Sequence, residues 1–190
     1  MMVRCITLLA CSLLAACASA PPGTLAPRDQ VREFALEARF ALRVSPPDRP
    51  PESSGGRLEW EHGNGDDRIL ISSLLGVGVA EIDLGPAGGR LRTADGKLRE
   101  SADADALMEE VTGQRLPVRQ LPGWLLGRAG AAGEVTRDGA GRPARLNEAG
   151  WRIDYAYPDD SAGALPSLVN LRRDGEVDLR LRIEEWRGAR

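Results

Sequence analysis

Past residue 17 the chain contains no cysteine: its three, Cys5, Cys11 and Cys17, all fall in the first seventeen positions. The rest of the sequence therefore cannot carry a disulfide framework, a catalytic thiol or a zinc–thiolate site. Histidine is represented by His62 alone. It stands beside Gly63-Asn64-Gly65 and reads as an exposed histidine near a turn, a poor activator with no nucleophile in view. No G-x-S-x-G elbow, H-E-x-x-H zinc motif or G-x-x-x-x-G-K-[ST] phosphate loop occurs. No catalytic residue, metal or cofactor is expected. Lysine is also scarce, with Lys97 alone among 25 basic side chains, so the other 24 are arginines. The net charge of −3 argues against a nucleic-acid partner, which would call for a basic balance. No apolar run reaches the roughly 20 residues that a membrane-spanning helix needs.

What is present begins with an export signal. Arg4 forms a short positive region, and residues 6–14 form an apolar stretch too short to span a bilayer. Leu14-Ala15-Ala16-Cys17 resembles the bacterial lipobox, in which small residues admit a peptidase and the cysteine thiol receives a diacylglyceryl group. The reading is a signal peptide over 1–16, an acylated Cys17 with a proline-rich tether to residue 27, and a folded domain over 28–190. One acyl chain anchors marginally, whereas two or three anchor stably.

The body reads as α+β. A short helix is expected over 28–37, where Val31, Phe34 and Leu36 make an imperfect stripe. Phe40, Leu42 and Val44 then alternate as a strand, and residues 45–55 read as a proline-rich loop. Further strands are expected at 57–62, 68–72, 79–84, 89–93 and 97–100, the last two flanking an Asp95-Gly96 turn. Two helices follow: 103–112, stopped by Gly113, and 118–126, interrupted by Pro122. Strands resume at 134–137, 144–148, 151–157, 167–172 and 177–186. In the last, Val177, Leu179, Leu181 and Ile183 face one way, and Asp178, Arg180, Arg182 and Glu184 the other. About eleven strands suffice to curl into a barrel, with the central helices capping or plugging it.

Several features admit two readings. Asp66-Asp67 and Asp159-Asp160 read as solvated turn acids rather than calcium ligands. Glu184-Glu185 on one strand would point to opposite faces. The four tryptophans, Trp60, Trp124, Trp151 and Trp186, either pack an ordinary core or line a roomy apolar cavity. Residues 72–79 join two strands yet hold Leu74, Leu75 and Val77. Such a loop either folds back into the core or presents an apolar tip to a membrane or partner.

Taken in order, several short segments resemble the LolB family of outer-membrane lipoproteins. They are Gly56-Arg57-Leu58-Glu59-Trp60, Ser72-Ser73-Leu74-Leu75-Gly76, Leu116-Pro117-Val118, Trp124-Leu125-Leu126-Gly127, Gly150-Trp151 with Tyr155, and Ile183-Glu184-Glu185-Trp186. Leu74 stands where the family's loop usually has proline. The resemblance implies an incomplete, half-open antiparallel β-barrel with short helices as a lid over an apolar cavity. It implies an acyl-chain cavity lined by Trp60, Trp124, Trp151, Phe40, Leu58, Met108 and Tyr155. It further implies a membrane-insertion loop of Leu74, Leu75 and Gly76, with Leu75 at the tip. The implied partners are a LolA-like periplasmic lipoprotein carrier, acylated lipoprotein cargo and the inner leaflet of the outer membrane, with the protein acting as a monomer. Ala18 after Cys17 lacks the aspartate that retains lipoproteins at the inner membrane. The competing readings are a lipid-anchored envelope-binding or structural domain with a filled core, and a lipid hydrolase, for which no nucleophile is visible.

Overall fold

The computed structural model describes residues 25–46 and 48–190; the signal segment, Cys17 and the tether up to residue 24 lie outside the described residues. Six strands come first: β1 (Phe34–Val44), β2 (Glu52–Gly63), β3 (Asp66–Ser72), β4 (Gly78–Gly85), β5 (Gly88–Thr93) and β6 (Leu98–Ser101). Helices α1 (Ala104–Thr112) and α2 (Leu121–Leu125) follow. Five strands complete the chain: β7 (Glu134–Arg137), β8 (Pro143–Glu148), β9 (Trp151–Ala156), β10 (Leu168–Arg173) and β11 (Val177–Arg187).

All eleven strands make one sheet in the order β6-β5-β4-β3-β2-β1-β11-β10-β9-β8-β7. Each half is a hairpin meander, and β1 pairs with β11 to join them. The edges are β6 and β7, the two strands that the helical segment connects. Laid flat at about 4.8 Å per strand, eleven strands would span roughly 50 Å. Instead the apolar sides of both halves form one core with α1 and α2. The sheet therefore curls into an open barrel, and the helices cross its concave side.

Alternation explains the curl. Leu36, Ala38 and Leu42 on β1, Ile82 and Leu84 on β4, and Val169 and Leu171 on β10 are buried, while their neighbours face outward. The core extends from Val31 to Ala189, so a chain lacking residues 1–17 keeps every strand, helix and buried side chain described. α1 starts on Asp103, whose carboxylate accepts from the Asp105 and Ala106 N–H groups, and stops at Gly113 with φ 72°. It lies close on the sheet, because a Cβ on Gly89 would fall 2.7 Å from Leu107 Cδ1.

Four expectations change. Residues 28–37 do not form a helix: residues 28–30 make a turn, closed by Gln30 N–H donating to Pro27 O, and β1 begins at Phe34. Phe34, Leu36 and Ala38 alternate with Ala35, Glu37 and Arg39, so the strand period overrides the imperfect helical stripe. The loop expected over 45–55 is shorter, because β2 begins at Glu52, which pairs with Val44. That stretch is polar and exposed, and the ladder to β1 alone makes it a strand. The helix expected over 118–126 shrinks to Leu121–Leu125, with Pro122 in its first turn, where no donor is required. Glu184 and Glu185 do not alternate, because a bulge between Glu37 and Ala38 shifts the β1–β11 register and leaves both exposed.

Candidate functional site

Every strand runs between two ends of the open barrel. The turns β1–β2, β3–β4, β5–β6 and β10–β11 share one end. The other holds the β2–β3 and β4–β5 turns and both ends of the described chain, where Ala26 N–H donates to Ala189 O and Arg190 N–H to Glu33 O.

The β3–β4 connection is a tight three-residue hairpin loop. Ser73 N–H donates to Val77 O at 2.8 Å, Gly76 N–H to Ser73 O at 2.9 Å, and Val77 N–H to Ser73 Oγ at 3.2 Å. Gly76 takes φ 80°, a left-handed conformation that closes such loops. The backbone thus satisfies much of its own hydrogen bonding, and the side chains point away from it: Leu74 is 67%, Leu75 93% and Val77 65% exposed. Of the two readings of this segment, the exposed tip is the one adopted. Leu74 occupies the first central position of the turn, where proline is favoured but any L residue fits. A low-dielectric phase would accept this tip at little polar cost.

The concave interior holds the residues expected to line a cavity, in two groups. Under α2, the Trp124 and Trp151 ring centroids lie 6.1 Å apart. The Tyr155 hydroxyl donates to Trp124 O at 2.6 Å, and burial pushes its pKa well above the ordinary phenol value. Trp124, only 1% exposed, donates its indole N–H to Glu148 Oε2 at 2.7 Å. Glu148 also accepts from Gly130 N–H, so a single carboxylate at the β8–β9 turn fastens the helical segment. Trp60 belongs to the second group, near the chain-terminus end, with Phe34, His62 and Trp186 around it. Phe40 lies over Gly56, its cross-strand partner on β2. Leu58 and Met108 are buried, the latter on α1.

Sequence reasoning placed Phe34 on a helical stripe and counted Trp186 among the core or cavity rings, but left both out of the implied lining. Their inward positions on β1 and β11 follow only once those strands pair. His62 and Asp67 also need correction. His62 is half-buried, with Nδ1 2.7 Å from Asp67 Oδ1, because its pairing with Phe34 turns it inward. Asp67 is not a solvated turn acid: the same oxygen accepts the Trp60 indole N–H at 2.7 Å. The open cleft of about 1210 Å³ lies at the chain-terminus end, between Phe34, His62, Leu84, Arg90, Ser101 and Arg190. None of the seven residues expected to line an acyl cavity borders it. Among the described residues, no cluster of three or more potential metal ligands occurs and no helix is long and apolar enough to cross a membrane.

A family profile described as "Outer membrane lipoprotein LolB" matches residues 32–186. The chain belongs to the LolB family. It is 58% identical over 187 residues to the outer-membrane lipoprotein LolB of Dechloromonas aromatica (strain RCB), covering 98% of each chain. It is 37% identical to that of Azoarcus sp. (strain BH72), covering 96% of this chain and 95% of the relative. Among solved structures, a LolA superfamily protein from Nitrosomonas europaea matches with TM-score 0.49 and 12% identity, covering 85% of this chain and 90% of that one. The LolB match takes in the apolar loop, both helices and ten complete strands, so the whole open barrel belongs to the family and not to an added module.

Proposed function

We infer that this chain is an outer-membrane lipoprotein that receives acylated lipoproteins from a LolA-like periplasmic carrier and inserts them into the outer membrane. It acts as a monomer, anchored through Cys17 on the periplasmic face. The observation that carries the reading is the self-bonded apolar loop, projecting from an open barrel of the LolB family. That membership disfavours a purely structural envelope domain.

The physical problem is the cargo's acyl chains. Three chains hold on the order of 40 methylenes, and exposing them to water costs about 30 kcal/mol at roughly 0.8 kcal/mol each. Passage must therefore run from one apolar interior to the next. Trp60, Trp124, Trp151, Phe40, Leu58, Met108 and Tyr155 are the receiving interior. In the packed state they fill it themselves, so entry requires α1 and α2 to lift from the sheet. The ties to release include Trp124–Glu148 and Tyr155–Trp124. Transfer makes and breaks no covalent bond, and we assign no enzymatic activity. Direction comes from successively tighter apolar environments, each 1.4 kcal/mol giving about tenfold bias. Leu74, Leu75 and Gly76 then carry the exit step, with Leu75 wedged into the inner leaflet.

The test compares the chain from Ala18 onward with its Leu75→Glu variant. Labelled lipoprotein is offered on loaded carrier, and capture and vesicle insertion are measured separately. Capture near normal with insertion impaired is expected. Equal loss of both steps removes the separate role of the loop. No capture by the unaltered chain, from a carrier competent towards another receptor, overturns the reading as a whole.

A further inference from the structure

The convex face of the sheet sorts its charges along the strands. Arg182, Arg39 and Arg57 stand directly opposite one another across β11, β1 and β2, and Arg57 pairs on β3 with Ser72 at the base of the apolar loop. Like charges placed directly opposite destabilise an antiparallel pair. Among the residues bonded to this row, one carboxylate offsets it: bulged Glu184 lies 2.7 Å from Arg39 and 3.4 Å from Arg57. Arg180 and Arg43 lie further along the same face, toward the loop end. Among the described arginines, only Arg43, Arg180 and Arg182 have neither a hydrogen bond nor an ion pair, and all three are exposed.

In the other direction the sign reverses. Across the same three strands the next outward row is Glu185, Glu37 and Glu59. Three carboxylates near the loop end are already ion-paired: Asp95 with Lys97 at 2.7 Å, Glu176 with Arg173 at 2.6 Å, Glu52 with Arg49 at 3.5 Å. Asp178, opposite Arg43, is drawn to Arg172 at 3.7 Å. A chain of net charge −3 thus keeps unneutralised arginines from the level of its apolar loop's base, at Arg182, onward past it, at Arg180 and Arg43.

We propose that Arg43, Arg180 and Arg182, with Arg39 and Arg57, form a seat for the phosphate headgroups of an anionic phospholipid surface. The proposal rests on the membrane role of the apolar loop. Leu75 lies three residues beyond Ser72, a reach of about 10 Å. Apolar segments at an interface bury to about 5–10 Å, so a tip at that depth leaves its base, and the arginine row, at phosphate level. Guanidinium groups bind phosphate oxygens in pairs and are more weakly hydrated than ammonium. The row would find in headgroups the counter-charge that the fold withholds, and it would fix which face of the barrel meets the bilayer.

The experiment measures binding of the chain from Ala18 onward to phosphatidylcholine vesicles and to vesicles with about one-third phosphatidylglycerol. The variant Arg43→Gln/Arg180→Gln/Arg182→Gln removes no bond, so its thermal midpoint should equal or exceed that of the parent. The parent should prefer the anionic vesicles, less so as salt rises. The triple variant should lose about fivefold per arginine, on the order of a hundredfold in all, on anionic vesicles only. Leu75→Glu should weaken binding to both vesicles and preserve their ratio; unchanged binding would sink the loop's role, whereas the ratio tests the arginines. A triple variant that keeps the parent's ratio overturns the proposal. So does one that binds vesicles normally but no longer captures cargo, which would make this face a dock for the carrier.

Discussion

Replacing Glu148 by alanine should loosen the helical segment by a calculable amount. The carboxylate accepts the Trp124 indole N–H at 2.7 Å and the Gly130 N–H at 3.0 and 3.1 Å. Trp124 is 1% exposed, so water cannot easily replace the lost acceptor, and an unsatisfied buried donor costs about 1–3 kcal/mol. With the bond to Gly130, the expected loss is about 2–4 kcal/mol. For a domain of this size that lowers Tm by roughly 5–15 °C. Glu148→Gln keeps one acceptor oxygen for the indole and should cost about half as much. In a Trp124→Phe background Glu148→Ala should cost only about 1 kcal/mol, because the indole donor is already gone. Urea and thermal unfolding of the four proteins of that cycle measure the coupling, and uptake of a fluorescent apolar probe should quicken in Glu148→Ala. A cost below about 0.5 kcal/mol, or no coupling to Trp124, would refute the idea that this carboxylate fastens α2.

The remaining predictions are more local. Gly56→Ala should destabilise by about 1–3 kcal/mol and lower the urea midpoint, because the added Cβ would fall 2.2 Å from Ser72 O and 3.0 Å from the Phe40 ring. Hydrogen bonds from Lys97 and then Thr93 hold the Asp95 carboxyl down at about 2. Its contribution to the β5–β6 turn is therefore complete above the ordinary carboxylate value and fades as pH falls toward 2. NMR titration should find that low midpoint and its rise in Lys97→Ala; an ordinary midpoint in the parent would disprove the pairing. Leu75→Glu should lower vesicle insertion roughly tenfold or more, the worth of burying one leucine, while capture from the carrier changes little.

Much of the barrel was legible because its strands advertise themselves by alternation. In β11, Val177, Leu179, Leu181 and Ile183 alternate with charged residues, and that pattern is the observed burial pattern. The apolar loop was legible as an anomaly, since Leu74 and Leu75 are out of place between two strand ends. The first half of β1 was not, because Val31, Phe34 and Leu36 suit a short helix about as well as a strand. Only pairing with β2 and β11 decides between them. The beginning of β2 carries no apolar alternation at all. Register was the deeper gap. Nothing local says that Arg182 stands opposite Arg39, or that Trp60 keeps company with Phe34 and Trp186 rather than with Trp124 and Trp151. For the same reason His62 looked solvent-facing until its partner across the ladder was known.

The two ends of the described chain are clasped together at the end of the barrel opposite the apolar loop. The loop rises from β3, whose seven residues run from that end to the loop's base, so the strand puts about 20 Å between clasp and base. From Cys17 to Leu25 the chain can reach at most about 29 Å. An anchor at Cys17 and a loop dipping into the same leaflet are therefore compatible with a barrel standing upright on its loop, with roughly 10 Å of chain to spare. The leash is thus matched to the strand that carries the loop. Removing five residues from it would cut its reach to about 11 Å and force the barrel to tilt or the loop to withdraw, without altering any contact in the fold.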